Sequence, residues 1–404
     1  MSTEPFHRWY TSVMAFSPSL VRDAISELGC DRSGWLLDPF CGTGTSLVES
    51  ALKGVPAIGV DSNPFSCLCS KAKTRPGVDP DRLEAACREI IALADAIGNS
   101  AEHTPQALPH VVRKGWVSSR IWSSASTLFH LAGSIRSYDS RRLLRLAIIS
   151  AVKEHCANVA FGPEIYKRSR RCKLSLRQAI LGKVGQIATD LRSARKQRGW
   201  GNIRVIHGDS RDLGFLDRIA IDGKIRWIIT SPPYPTEHDY SRITRIELEL
   251  GRFVRSYSDL RKIKRMQLRS NSKTVYVDDE DWRFVSRMSS VTRLVRMLER
   301  RASQKTYGFA RQYPKVVGNY FGGLRRHLAS VADVIVPGGR ALYVLSEQRS
   351  YFGVHIPTTQ ILEEIACERL RGFRCISRKT VKIRRGTRGT TRPIYEEAMI
   401  LERR

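Results

Sequence analysis

Residues 35 to 44 read Trp35-Leu36-Leu37-Asp38-Pro39-Phe40-Cys41-Gly42-Thr43-Gly44, and they set the architecture. Three apolar residues make a short strand, an acid ends it, and two glycines make a tight turn. Thr45 to Lys53 then continues with helical spacing and helix-forming residues. Strand, glycine turn and helix in that order form the opening unit of an α/β domain, and glycines in the turn let backbone approach a ligand closely.

Working outward, further apolar runs end in the same way. Pro56 to Val60 leads to Asp61, Ile203 to Ile206 leads to His207-Gly208-Asp209, and Ile225 to Ile229 leads to Thr230-Ser231-Pro232-Pro233-Tyr234. Ala341 to Leu345 is a fifth run, preceded by a turn at Pro337-Gly338-Gly339. Phe373 to Lys382 and Ile394 to Leu401 fit a closing antiparallel hairpin across the basic loop Arg384 to Arg392. Strands alternating with helical stretches predict a mostly parallel sheet, whose ligands bind beyond the carboxyl ends of the strands. The strand ends at 38, 61, 209 and 230 are therefore expected to converge on one crevice.

The chain has 404 residues, 42% hydrophobic and 26% charged, which is globular composition. It carries 68 Lys and Arg against 39 Asp and Glu, a net charge of +29. That charge is focused. Residues 111–200 hold 19 basic against 4 acidic side chains, and residues 242–315 hold 19 against 8, leaving the remainder nearly neutral. Like charge at this density opposes folding unless a partner offsets it, so a polyanion, nucleic acid, is expected. Aromatic residues are interleaved in both stretches (Trp116, Trp122, Tyr166, Trp200; Tyr257, Tyr276, Trp282, Tyr307), most for the core and one or two for stacking.

The nine cysteines are odd in number and lack paired metal-ligand spacing, which argues against a disulfide framework or a zinc site and points to a reducing, cytoplasmic setting. No metal is expected. The amino terminus has no signal core, and the most apolar stretch, Leu143 to Val152, is too short to span a membrane and is broken by Arg145. It predicts a segment inside a soluble helix. Nothing in the pattern specifies an oligomeric state.

The crevice residues point to an adenosine-containing ligand. Gly42 and Gly44 offer backbone, Asp61 is placed to accept from ribose hydroxyls, and Asp209 from an adenine amino group. A phosphate-cradling loop with its lysine is absent, and Leu47 stands where a dinucleotide fingerprint has its third glycine, which disfavours ATP and NAD. The Ser231-Pro232-Pro233-Tyr234 segment supplies what amino methylation needs. An exocyclic amino group is a poor nucleophile, because its lone pair is delocalised into the ring. Acceptors aimed at its hydrogens, the Ser231 hydroxyl and a proline-fixed carbonyl, keep that lone pair available, and rigidity serves orientation. Tyr234 offers a face for a base extruded from the duplex. Cys41, in the glycine turn, is read as a packing residue, and His238 as a solvent-exposed or hydrogen-bonded loop histidine.

The D-P-F-C-G-T-G and T-S-P-P-Y segments resemble the two signature motifs of the S-adenosylmethionine-dependent DNA amino-methyltransferases of restriction-modification type. The stretch His7 to Leu20, with Phe16-Ser17-Pro18, is similar to the helix entry before their glycine turn, and Glu237 to Arg242 to the tail of their acceptor motif. The resemblance implies a class I methyltransferase fold, Rossmann-like with a mostly parallel seven-stranded sheet, here with two basic, largely helical insertions. It implies Asp38, Phe40, Gly42, Gly44, Asp61 and Asp209 at the cofactor, and Ser231, Pro232, Pro233 and Tyr234 at the methyl acceptor. The S-P-P-Y form is typical of cytosine-N4 enzymes. Adenine-N6 methylation, an RNA (tRNA) amino-methyltransferase and an inactive nucleic-acid-binding protein of the same fold are the alternatives.

The resemblance spans roughly residues 5 to 65, 203 to 242 and 318 to 402. The expected organisation is a methyltransferase core of residues 1–65, 201–241 and 316–404, a basic helical clamp of residues 66–200, and a target-recognising insertion of residues 242–315. The expected partners are duplex DNA with a flipped target base and a companion restriction endonuclease, with no membrane.

Overall fold

The computed structural model describes residues 3–12, 14–15, 17–97, 108–161, 165–168, 174–195, 199–219, 223–305, 308–384 and 393–404, with the side chain of Arg384 excepted. Phe16, Tyr307 and most of the Arg384 to Arg392 loop, all used in the sequence reading, lie outside them.

Nine strands are present among the described residues: β1 (Trp35–Asp38), β2 (Ala57–Asp61), β3 (Val159–Phe161), β4 (Ile165–Lys167), β5 (Ile203–His207), β6 (Ile225–Thr230), β7 (Ile335–Ser346), β8 (Phe373–Arg384) and β9 (Ile394–Arg403). Seven of them form one sheet in the order β5-β2-β1-β6-β7-β9-β8, parallel except for β9, which runs against both its neighbours. The strands run both ways outward from the β1/β6 pair, so the crevice of this doubly wound sheet opens at the ends of β1 and β6. This is the sheet that the sequence predicts.

The turn expected at Pro337-Gly338-Gly339 is instead a bulge within β7. Ile225 pairs with Ile335 and Trp227 with Arg340, so the extra residues loop out of the ladder, with Gly338 at φ 73°. Proline has no N–H to contribute to the ladder there. On one face of the sheet, Val21, Ile25 and Leu28 of the helix Pro18–Leu28 cover Leu36, Trp227 and Ile229. On the other, Tyr320, Phe321 and Leu324 of the helix Tyr313–Val334 pack with Leu37, Ile228 and Tyr343. The insertion helix Ser289–Ala302 closes that core through Val291, Leu294 and Leu298.

The first insertion is mainly helical, with the small antiparallel pair β3 and β4. The apolar run at 143 to 152 lies largely in the buried helix Tyr138–Ala151. Phe6, Trp9 and Tyr10, placed with the sheet by the sequence reading, are buried in the core of this insertion together with Leu248, Leu260 and Ile263 of the second. Asp190 organises the contact, accepting from Phe6 N at 3.1 Å and Trp9 Nε1 at 2.8 Å and pairing with Arg8. Of the interleaved aromatics, Tyr166 and Tyr257 are exposed and Trp116 is buried. Among the described residues, no helix is long and apolar enough to cross a membrane.

Candidate functional site

The glycine turn is built by two left-handed residues. Gly42 has φ 51° and Gly44 φ 86°, conformations that cost an L side chain roughly 1–2 kcal/mol. A Cβ on Gly44 would also stand 2.8 Å from Ser70 Oγ, the hydroxyl that donates to Gly42 O at 2.8 Å. The third glycine absent from the turn has its counterpart on β2: a Cβ on Gly59 would meet Leu47 Cδ1 at 2.5 Å and Cys41 Sγ at 2.8 Å. Leu47 and Cys41 thus fill the space that Gly59 leaves, and both are buried packing residues.

Asp38 is fully buried and lies behind the turn. It accepts from Phe40 N at 3.0 Å, Thr230 Oγ1 at 2.7 Å and Ser46 Oγ. Burial pushes its carboxyl up to about 6, against the pull of those three bonds. Asp38, expected at the cofactor, ties the glycine turn to the first residue of the acceptor motif across the β1/β6 pair. Phe40 is half-buried, its ring 4.9 Å from that of His327.

Asp61 faces the turn. Its Oδ2 accepts from Gly42 N at 2.8 Å and its Oδ1 from Asn63 N at 2.7 Å, and burial pushes its carboxyl up to about 6. A carboxylate has about four acceptor positions, so two stay open here. Asp209 is more engaged. Its Oδ1 accepts from Arg211 N at 2.9 Å and Nε at 3.0 Å, and its Oδ2 from Arg211 Nη2 at 2.6 Å.

At the end of β6, the Ser231 and Tyr234 hydroxyls stand 3.2 Å apart, and Tyr234 donates to Glu396 Oε1 on β9 at 2.9 Å. With the phenol proton on Glu396, the Ser231 hydroxyl donates to Tyr234 and keeps its own lone pairs as acceptors. Burial and the Glu396 charge both hold the Tyr234 phenol well above its ordinary value. Pro232 is buried and Pro233 half-buried, the rigid stretch between the two hydroxyls.

The loop that follows is fastened to the second insertion. Glu237 accepts from Ser272 N at 3.2 Å and Oγ at 2.7 Å, and Asn271 Nδ2 donates to His238 O at 3.0 Å. Lys264 pairs with Asp239 at 2.7 Å.

Several site residues escaped the sequence reading. His327 is fully buried, with Nδ1 2.7 Å from Ser210 O and Nε2 2.9 Å from Tyr343 Oη. A carbonyl only accepts, so Nδ1 carries the proton and Nε2 accepts from the tyrosine. Burial holds this imidazole neutral, down to about 4. Arg211, Asp281 and Glu396 come from three separate regions of the chain and carry no motif of their own. The R in Gly208-Asp209-Ser210-Arg211 was the one available signal.

No family model matches the chain. It is 23% identical to the Type II methyltransferase M.BsoBI of Geobacillus stearothermophilus, over 95% of this chain and 81% of that protein. It is 47% identical over 86 residues to the Type II methyltransferase M.MvaI of Kocuria varians, covering 21% of this chain and 19% of that protein. Among solved structures, TrmN from Thermus thermophilus aligns at TM-score 0.34 and 10% identity over 99% of this chain and 52% of its own. An rRNA methylase from Streptococcus thermophilus aligns at 0.31 and 11% over 97% and 99%. By sequence, the chain is similar along nearly its whole length to a Type II methyltransferase, M.BsoBI.

Proposed function

We propose that this chain is a DNA amino-methyltransferase that transfers the methyl group of S-adenosylmethionine to the N4 amino group of a cytosine flipped out of duplex DNA. The observation that carries the reading is the Asp38 to Thr230 bond of 2.7 Å, which holds the glycine turn and the acceptor motif side by side on adjacent strands. The two basic stretches and the Type II methyltransferase relatives support a DNA substrate.

The donor set fits S-adenosylmethionine. Gly42 and Gly44 present backbone without side chains, Phe40 offers an apolar ring, and Asp61 keeps two acceptor positions for ribose hydroxyls. When bound, the cofactor supplies an electrophilic methyl group on a sulfonium. Ser231 accepts from one amino hydrogen of the target base and the Pro232 carbonyl from another. The nitrogen lone pair would thereby be directed along the line of attack; the N–C bond would form as the sulfonium S–C bond breaks to leave a thioether, and the proton released from nitrogen would pass to solvent water. Tyr234, held by Glu396, fixes the Ser231 hydroxyl and gives the base a face to rest on.

The test is incubation with labelled S-adenosylmethionine and unmethylated duplex DNA, followed by nucleoside analysis. N4-methylcytosine that vanishes in Ser231→Ala is the expected result. N6-methyladenine would correct the base and keep the mechanism, whereas label in tRNA alone would reassign the substrate.

A further inference from the structure

The two basic stretches, remote in sequence, share one apolar core, and they also meet beside the crevice. The short helix His110–Arg113 comes from the first, and the helix Arg245–Leu250 from the second. Val111 N donates to Glu249 Oε2 at 3.2 Å and fastens one to the other. The junction also borders the crevice: Thr244 Oγ1 accepts from Asn63 Nδ2 at 2.9 Å, and the Asn63 backbone N–H is bonded to Asp61. Arg242 lies in the short helix Tyr240–Ile243, which follows the loop that begins with Ser231.

Charge there is one-sided. Arg113 and Lys114 are exposed, Arg242 and Arg245 are half-buried, and Glu249 is the acid between the two helices, 3.7 Å from Arg245 Nη1. Arg245 Nε and His110 Nδ1 are both buried and take no hydrogen bond from the described residues. Each such buried polar atom costs about 1–3 kcal/mol. The His110 ring is held edge-on to Trp116 at 5.8 Å, so it cannot simply swing out to water without losing that contact. Burial, and then the charges of Arg245, Lys114, Arg113 and Arg242, hold its imidazole below the ordinary value. Burial likewise lowers the Arg245 guanidinium. An anion with several acceptor oxygens at this junction offsets the like charges of Arg113, Lys114, Arg242 and Arg245 and accepts from their N–H donors. A phosphodiester is the anion that a strand entering the crevice presents.

We propose that His110, Arg113, Lys114, Arg242 and Arg245 form a clamp for one backbone phosphate of the DNA strand, beside the target nucleotide and built jointly by both basic stretches. This rests on the DNA reading above. Charged side chains that neutralise phosphates set the salt dependence of binding, each by a slope of about 0.9 in log K against log salt on B-form DNA.

The experiment is DNA affinity of the full chain across a salt series, on a duplex containing the site that the wild-type protein methylates. It compares wild type with Arg113→Gln and Arg245→Gln. Each variant is expected to reduce the salt slope by about one. The exposed Arg113→Gln carries the test if Arg245→Gln fails to fold. A neutral methylphosphonate is then scanned through the phosphates flanking the target base. At one of them, wild type should lose affinity to the level of Arg245→Gln, with no further loss in the variant. Unchanged slopes, or losses that simply add at every phosphate, overturn the clamp. Methylation by wild type alongside those outcomes leaves the functional reading standing, whereas a wild type that neither binds nor methylates DNA overturns that reading and the clamp with it.

Discussion

Arg211 grips Asp209 through Nε and Nη2 and, from the same guanidinium, donates to Asp281 Oδ2 at 2.7 Å, so an acid at the cofactor crevice is held in place by the second insertion. The Arg265 carbonyl accepts from Nη2 at 2.6 Å, and Arg326 takes the other Asp281 oxygen at 2.7 Å. Arg211 and Asp281 are buried, so removing one partner leaves uncompensated charge, which costs about 3–5 kcal/mol in such pairs. Arg211→Gln is expected to lower unfolding free energy by several kcal/mol in urea and to weaken S-adenosylhomocysteine binding by calorimetry. Asp281→Asn should weaken cofactor binding although it lies outside the sheet. Unchanged cofactor affinity in both variants would confine the cluster to a stabilising role.

Ser231→Ala is expected to reduce single-turnover methyl transfer by about 10²-fold at saturating cofactor, the usual loss for a transition-state hydrogen bond. Cofactor affinity should not move. Glu396→Ala acts one step further out, by releasing Tyr234, and should give a smaller loss that Glu396→Gln largely restores, since the amide oxygen still accepts from the phenol.

Acid stability divides between opposing groups. Asp38 and Asp61 are raised to about 6 from 3.8, so the folded state binds their protons first and their ionisation disfavours folding as pH rises between those values. His327 is lowered to about 4 from 6.5, so the unfolded state binds its proton first and stability is lost as pH falls through that window. Each group changes the slope by at most about 1.4 kcal/mol per pH unit. Asp38→Asn should therefore make acidification from pH 6.5 to 4 more destabilising than in wild type, and His327→Gln less so. Chemical denaturation at several pH values reads both. Protonation of Asp61 below about pH 6 should also weaken cofactor binding, an effect that Asp61→Asn abolishes.

Gly59→Ala is expected to destabilise the protein by about 1–3 kcal/mol, the range for overpacking a tight interior, because its Cβ would stand 2.5 Å from Leu47 Cδ1. Leu47→Ala in the same chain should recover part of that loss. Thermal unfolding of the two single variants and the double variant checks the coupling, and purely additive losses would count against direct packing between the two positions.

The sequence by itself determined the strand ends and the order in which they carry polar residues. Apolar runs, glycine turns and the paired prolines act over a few residues, where sterics and periodicity decide the outcome without help from distant chain. Gly42, Gly44, Asp61, Ser231 and Tyr234 were legible for that reason, and so was the concentration of charge in two stretches. Tertiary structure alone decided the rest. Asp38 reads only as a strand-end acid expected at the cofactor until β6 pairs beside β1 and Thr230 and Ser46 close over it. His327, Glu396 and Asp281 enter the site from elements more than sixty residues from the residues they bond, Ser210, Tyr234 and Arg211. Burial holds His327 neutral, whereas Arg211 and Asp281 keep each other charged against burial, and both effects exist only once the fold has brought those elements together.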